Sequence, residues 1–391
     1  MSHSRDRFVF PKLLKRLKHF PVVAIQGARQ TGKSFLAREI LPTRLAQAQY
    51  VTLDGPQERS QALEQSQSFL ERYGEKGLLI IDEAQKAPVL FDTIKLLVDR
   101  KRTPGRYLLL GSTEFSRLTK ISESLTGRMG ITRLYPLCLA ESLGSHWKPG
   151  GASRRQLLEY LDTGGMPAIF SLRDHDSRQE GFEEWLNLTC SRDLLQFPRL
   201  NLDPELASAL IRLSCTLEEP SAVAMAKALR RDARRVATHL KALTALFVLN
   251  PVLPHESGRG KKTLYFPLDC GIAHHHGASQ LRRLQIWLLN ERLCSTSYRD
   301  VKRKKFYTYH SQSRALIDLV ELPPDGPPTA YKLHDREVIK KTDVEILRAF
   351  QAKNPESKTI LLAPVPEAFK VNGVQVLPWE LAALAPRSKK A

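Results

Sequence analysis

At 391 residues and 42% hydrophobic content, the chain has material for two or three domains, each with its own core. The absence of any apolar run near the ~18 residues of a membrane span, and of a signal-peptide stretch over residues 1–20, argues against a membrane protein. Lys plus Arg number 60 against 41 Asp plus Glu, a net charge of +19 that favours phosphate polymers as partners without separating DNA from RNA.

Along the chain, Leu13, Leu14 and Leu17 alternate with Lys12, Lys15, Arg16 and Lys18 at helical spacing, which predicts a basic surface helix. Pro21-Val22-Val23-Ala24-Ile25 predicts a buried strand, and Phe35 to Ile40 the first turns of a helix. Between them stands Gly27-Ala28-Arg29-Gln30-Thr31-Gly32-Lys33-Ser34, a Gly-rich loop ending in Lys-Ser. Strand, loop and helix in this order make a P-loop: glycines let backbone N–H groups converge on phosphate oxygens, and the helix N-terminus adds positive potential. Gly27 to Phe35 are therefore the candidate nucleotide contacts, with Lys33 on the β- and γ-phosphates and Ser34 on Mg²⁺.

Gly77 to Ile81 predicts a second buried strand, ending in Asp82 and Glu83. At the carboxyl edge of a parallel sheet, Asp82 would hold Mg²⁺ and Glu83 would act as general base toward water. A third strand, Tyr107 to Leu110, ends in Gly111-Ser112-Thr113, where Ser112 is the favoured γ-phosphate or water sensor. Arg128, after Ser124-Leu125-Thr126-Gly127, is a candidate phosphate-sensing arginine, in cis or from a neighbouring subunit.

Taken with Val51-Thr52-Leu53-Asp54, Ile81-Asp82-Glu83-Ala84-Gln85-Lys86-Ala87-Pro88 and Pro136-Leu137, this series resembles the prokaryotic AAA-superfamily ATPases that carry a C-terminal domain of unknown function. The resemblance implies ATP and Mg²⁺ as cofactors, and an α/β chain. Its order would be a parallel-sheet ATPase core with flanking helices, then a winged helix, then a domain related to restriction-endonuclease folds. It admits a homo-oligomer, since the superfamily often forms rings.

The expected domains are residues 1–150 (ATPase), 151–202 (helical connector), 203–279 (winged helix) and 280–391 (endonuclease-like). Lys148 to Ser153 reads as a linker, and Thr163-Gly164-Gly165-Met166-Pro167 as a break between helices. Helices are predicted over Leu206 to Leu217, Ser221 to Leu229 and Asp232 to Phe247, with Ser221 and Asp232 as caps. In the last, Val236, Leu240, Leu243 and Leu246 share an apolar face. Arg234, Arg235, Thr238, His239 and Lys241 are assigned to the face that would enter a major groove. Strands Val248 to Leu253 and Thr263 to Leu268 flank a basic loop in which Arg259, Lys261 and Lys262 are candidate phosphate contacts.

Further on, a helix near Leu284 to Leu293 precedes the basic run Lys302 to Lys305. Strands follow at Phe306 to His310, Leu316 to Val320 and Thr329 to Leu333. In the endonuclease resemblance Glu291, Asp318 and a Glu-x-Lys triplet would hold metal. Here the triplet reads Ala330-Tyr331-Lys332, so one carboxylate is missing and nuclease activity is not expected. His274-His275-His276 lacks a completing ligand group for metal. The five cysteines are scattered, which suits a reducing cytoplasm. The sequence thus points to a cytoplasmic Mg²⁺-dependent ATPase coupled to nucleic acid, DNA by its winged-helix pattern. A slow ATP-dependent switch that binds proteins is the alternative, and an ATP-dependent nuclease the third.

Overall fold

The computed structural model describes residues 5–43, 45, 47–74, 77–115, 125, 127–148, 151–259, 262–299, 303–311 and 315–385. They form two compact units. One holds Arg7–Tyr135 with Ala245–Phe247, and the other holds chiefly Pro136–Thr244 and the chain from Val248. No described helix is long and apolar enough to cross a membrane.

The first unit is built on β1 (Val22–Gln26), β2 (Ala48–Thr52), β3 (Leu78–Asp82), β4 (Tyr107–Gly111) and β5 (Met129–Arg133). All pair in parallel, in the order β2-β3-β4-β1-β5. Every residue of β1, β3 and β4 is buried, which explains why these segments read as unbroken apolar runs. Leu90, Phe91, Ile94 and Val98 of helix Val89–Arg100 cover one face of the sheet. The basic N-terminal helix forms over Phe10–Leu17, with Leu13 and Leu17 buried. Strand order reverses around β1, and the crevice at such a switch point is where the carboxyl ends of parallel strands receive ligands.

In the second unit, helices Pro204–Thr216, Ala222–Leu229 and Ala233–Ala245 precede an antiparallel hairpin of β6 (Leu249–Pro254) and β7 (Leu264–Pro267). The predicted caps form: Ser221 accepts from Ala224 N–H at 3.2 Å, and Asp232 Oδ1 accepts from Arg234 and Arg235 N–H, both at 2.9 Å. Val236, Leu240 and Leu243 are buried as one stripe. Arg282 braces this module from helix Gln280–Tyr298. Its guanidinium donates to Ser214 O at 2.7 Å and lies 4.4 Å from the Phe266 ring centroid.

The hairpin does not end the sheet. β6 also pairs in parallel with β8 (Lys305–His310), which continues through β9 (Leu316–Leu322) and β10 (Thr329–Leu333). Beyond Leu333 the sequence reading names no element. The structure adds helix Glu345–Lys353 and strands β11 (Lys358–Ala363), β12 (Phe369–Val371) and β13 (Val374–Pro378). The eight strands form one mixed sheet in the order β12-β13-β11-β10-β9-β8-β6-β7. Tyr309, Ile317, Leu347, Phe350 and Leu361 lie in its core.

The Gly164-Gly165 break has a packing cause. Gly164 ends helix Arg154–Thr163 at φ +71°, and a Cβ there would fall 1.9 Å from Asp269 Oδ1. A Cβ on Gly165 would fall 2.1 Å from Leu137 O. The buried Asp269 carboxylate accepts from Gly165 N–H and Gly271 N–H, both at 2.7 Å, tying the break to the next helix.

Candidate nucleotide-binding site

The loop after β1 turns sharply because Gln30 (φ +62°) and Gly32 (φ +91°) both take left-handed backbone. Gly27 is pressed against the chain: a Cβ there would lie 2.2 Å from Leu134 O, so only glycine fits. Thr31 Oγ1 donates to Ala28 O at 2.9 Å and closes the loop from within. The buried Lys33 ammonium donates to Gly27 O at 2.9 Å and Ala28 O at 2.8 Å, which places the cation at the centre of the loop. Ser34 and the exposed Phe35 follow in the first helical turn, and the helix continues as a π-helical segment over Leu36–Ile40. Arg7, which the sequence reading did not single out, braces the loop. It donates to Thr31 O at 2.9 Å and Tyr135 O at 2.6 Å.

Asp82 ends β3 and is buried. Its Oδ1 accepts from Glu83 N–H at 2.9 Å, and its Oδ2 from the Tyr50 hydroxyl at 2.6 Å. Tyr50 stands on β2 opposite Ile80, two residues before Asp82, and side chains two apart in a strand share a face. Burial and the neighbouring carboxylate push the Tyr50 pKa well up.

Glu83 takes left-handed backbone, φ +54°, a conformation that costs a non-glycine residue energy and turns its carboxylate toward the end of β4. There Ser112 Oγ donates to Glu83 Oε2 at 3.2 Å. The Gln85 amide donates to the same carboxylate oxygen and to Ser112 Oγ, the latter at 3.0 Å. Lys86 pairs with Asp54, fastening the turn after β3 to the turn after β2.

The structure thus brings together the loop, Asp82, Glu83 and Ser112, all at the carboxyl ends of β1, β3 and β4. Arg128 does not join them. Its backbone carbonyl receives Val22 N–H at the start of β1, so it stands at the amino edge of the sheet, a full strand length from the loop. Its guanidinium holds Asp99 in a two-point ion pair at 2.6 and 3.0 Å, lowering that carboxyl's pKa. Sensing phosphate in the same subunit is excluded by that placement. Ser124 and Thr126 of the motif lie outside the described residues.

Two further assignments are corrected in the second unit. His239 is not on the solvent face of its helix. It is buried, with Nε2 accepting from Asp203 N–H at 2.8 Å. Arg234, Arg235 and Lys241 are exposed, although Arg235 also pairs with Asp203 at 3.1 Å. Arg259 and Lys262 are exposed on the hairpin loop, and Lys261 lies outside the described residues. Glu291 is no metal ligand. Its buried carboxylate accepts from Leu139 N–H and Leu384 N–H, both at 2.8 Å, and from Trp287 Nε1–H at 3.1 Å. Asp318 does meet Lys332, at 3.4 Å, but its oxygens already accept from Gln285 and Leu333 N–H, both at 2.7 Å. Among the described residues no group of three or more His, Cys, Asp or Glu could hold a metal, the His274-His275-His276 run included.

A family model described as an AAA domain matches residues 19–143. The uncharacterized proteins Rv2008c of Mycobacterium tuberculosis and Mb2031c of Mycobacterium bovis are each 29% identical over 273 residues, which cover 67% of this chain. The match spans only 57% of the length of these relatives. Among solved structures, a Walker-type ATPase of Pyrococcus abyssi is 15% identical, with a TM-score of 0.43 over 68% of this chain and 94% of its own. The Aeropyrum pernix Orc1 protein in complex with DNA is 15% identical, with a TM-score of 0.28 over 74% of this chain and 94% of its own. The matched residues 19–143 hold β1 to β5, the phosphate loop, Asp82, Glu83 and Ser112, so the similarity to an AAA domain falls on the N-terminal unit and on the candidate site it carries.

Proposed function

We propose that this chain is a Mg²⁺-dependent ATPase whose nucleotide cycle drives a nucleic-acid-binding conformation, with DNA as the polymer. The observation that carries the ATPase part is the convergence of Lys33, Asp82, Glu83 and Ser112 at one end of the parallel sheet. Mg²⁺ takes oxygen ligands, and the Asp82 carboxylate at the end of β3 and the Ser34 hydroxyl after Lys33 offer that donor set. The residues therefore fit a nucleotide-bound Mg²⁺, whose chemistry would be to neutralise charge on the β- and γ-phosphates.

Loop N–H groups and Lys33 bind the phosphates, and Lys33 exchanges its loop carbonyls for phosphate oxygens. The Glu83 carboxylate takes the proton of the attacking water as the water oxygen bonds to the γ-phosphorus and the bond to the β–γ bridging oxygen breaks. Ser112 and Gln85 fix which way that carboxylate points.

In the second unit, three helices and a hairpin follow the winged-helix order over residues 203–279, with residues 151–202 as connector. Arg234, Arg235 and Lys241 on the third helix, and Arg259 and Lys262 on the hairpin loop, supply cations for phosphates. Residues 280–391 act as a degenerate endonuclease-like module for binding or assembly. ATP binding and hydrolysis by the purified chain test the reading. Lys33→Ala should lose binding, and Glu83→Gln should bind ATP without turning it over. Equal hydrolysis by both variants and the parent chain would refute it.

A second reading, a slow switch that binds protein partners, is favoured by the Glu83 carboxylate being held by both Ser112 and Gln85. It must loosen from them before it can reach water. Undetectable turnover together with an ATP-dependent protein complex would select this reading.

A further inference from the structure

The short hydrogen bond between Tyr50 and Asp82 has no assigned purpose in the ATPase reading. Tyr50 is only half-buried, so its hydroxyl has solvent as an alternative partner, yet it donates to Asp82 Oδ2 at 2.6 Å.

Directions within this chain follow from what each group can do. An ionised carboxylate only accepts, so Tyr50 must be the donor to Asp82. Asp82 is fixed at both oxygens, through Glu83 N–H at 2.9 Å and Tyr50, and its remaining acceptor directions are set. The phenol thus orients the carboxylate that the ATPase reading assigns to Mg²⁺.

We propose that Tyr50 is the positioning residue of the Mg²⁺ site: its hydroxyl aims the Asp82 carboxylate so that its remaining lone pairs face the cation. This rests on the ATPase reading. Tyr50 does not touch the nucleotide in this account and acts only through Asp82. Residues that orient metal ligands in this way typically matter by roughly 10- to 100-fold in metal affinity.

The test is a Mg²⁺ titration of the affinity for a fluorescent non-hydrolysable ATP analogue, with no turnover involved. Tyr50→Phe keeps the ring, and hence the packing of β2. Its analogue affinity without Mg²⁺ should equal that of the parent chain, while the Mg²⁺ concentration for half the effect should rise about tenfold or more. In an Asp82→Asn background the same substitution should shift the midpoint far less, because the two residues act together. An unchanged or lowered midpoint in Tyr50→Phe would overturn the proposal. So would an equal shift in both backgrounds, which marks a structural effect. Failure of the ATPase reading looks different: the parent chain would not bind the analogue, or Lys33→Ala would bind it equally well, and both readings would fall together.

Discussion

The Ser112 hydroxyl donates to Glu83 Oε2 at 3.2 Å, joining the end of β4 to the acid after β3. Gln85 donates to both partners, so the acid sits in a clamp made by two residues. The left-handed backbone of Glu83 makes this contact geometrically possible, and the clamp in turn holds that strained conformation.

Removing the Ser112 hydroxyl should therefore hurt turnover and spare binding. Ser112→Ala is expected to lower kcat roughly 10- to 100-fold, the scale of a misplaced catalytic group, with ATP-analogue affinity within about twofold of the parent. Steady-state kinetics alongside equilibrium binding checks this. A matching loss of affinity would place Ser112 on the nucleotide instead.

Glu291→Ala should unfold the second unit more easily. Three buried N–H donors lose their acceptor, at about 1–3 kcal/mol for each unsatisfied group, so a loss of at least ~3 kcal/mol is expected in urea denaturation. Unchanged stability with loss of a metal-dependent cleavage would restore Glu291 as a ligand.

Burial pushes the Asp269 carboxyl from its ordinary 3.8 up to about 6, against the pull of its backbone donors. The folded chain then binds an extra proton between those values. Its contribution to stability is full below about pH 4 and is lost as pH rises through about 6. A shift of about two units amounts to about 3 kcal/mol. The stability difference between the parent and Asp269→Asn should shrink by that order from pH 4 to pH 7 in urea denaturation. A flat difference would refute the assignment.

The exposed cations on helix Ala233–Ala245 should behave differently from its buried histidine. Arg234→Ala and Lys241→Ala are each expected to weaken duplex binding uniformly across sequences and to reduce the salt slope by about 1, with no change in folding. His239→Ala should instead lower the melting temperature, because Asp203 N–H loses its acceptor. Equal effects of all three on binding alone would contradict the placement.

The phosphate loop, Asp82 and Glu83 were legible because their chemistry is local: a turn that demands Gly27 and Gly32, and strands whose apolar runs stop at an acid. Tyr50, Gln85 and Arg7 were not, since they reach the site through strand register and loop packing, which no spacing in the chain reveals. Arg128 misled because a motif's place in the chain does not say at which edge of a parallel sheet it falls, and this one falls at the amino edge, opposite the loop. His239 was legible in principle. It lies three residues after Val236 and four before Leu243, on the apolar stripe, and only its polar side chain suggested the other face. Glu291 could not be read, because its partners Leu139 and Leu384 are brought to it by tertiary folding alone.

The central claim, an ATPase cycle coupled to nucleic acid, is tested most directly by ATP hydrolysis with and without duplex DNA at two salt concentrations. Hydrolysis stimulated by DNA, weakened at high salt and absent in Lys33→Ala and Glu83→Gln is the predicted result. Hydrolysis indifferent to DNA at both salt concentrations would contradict it.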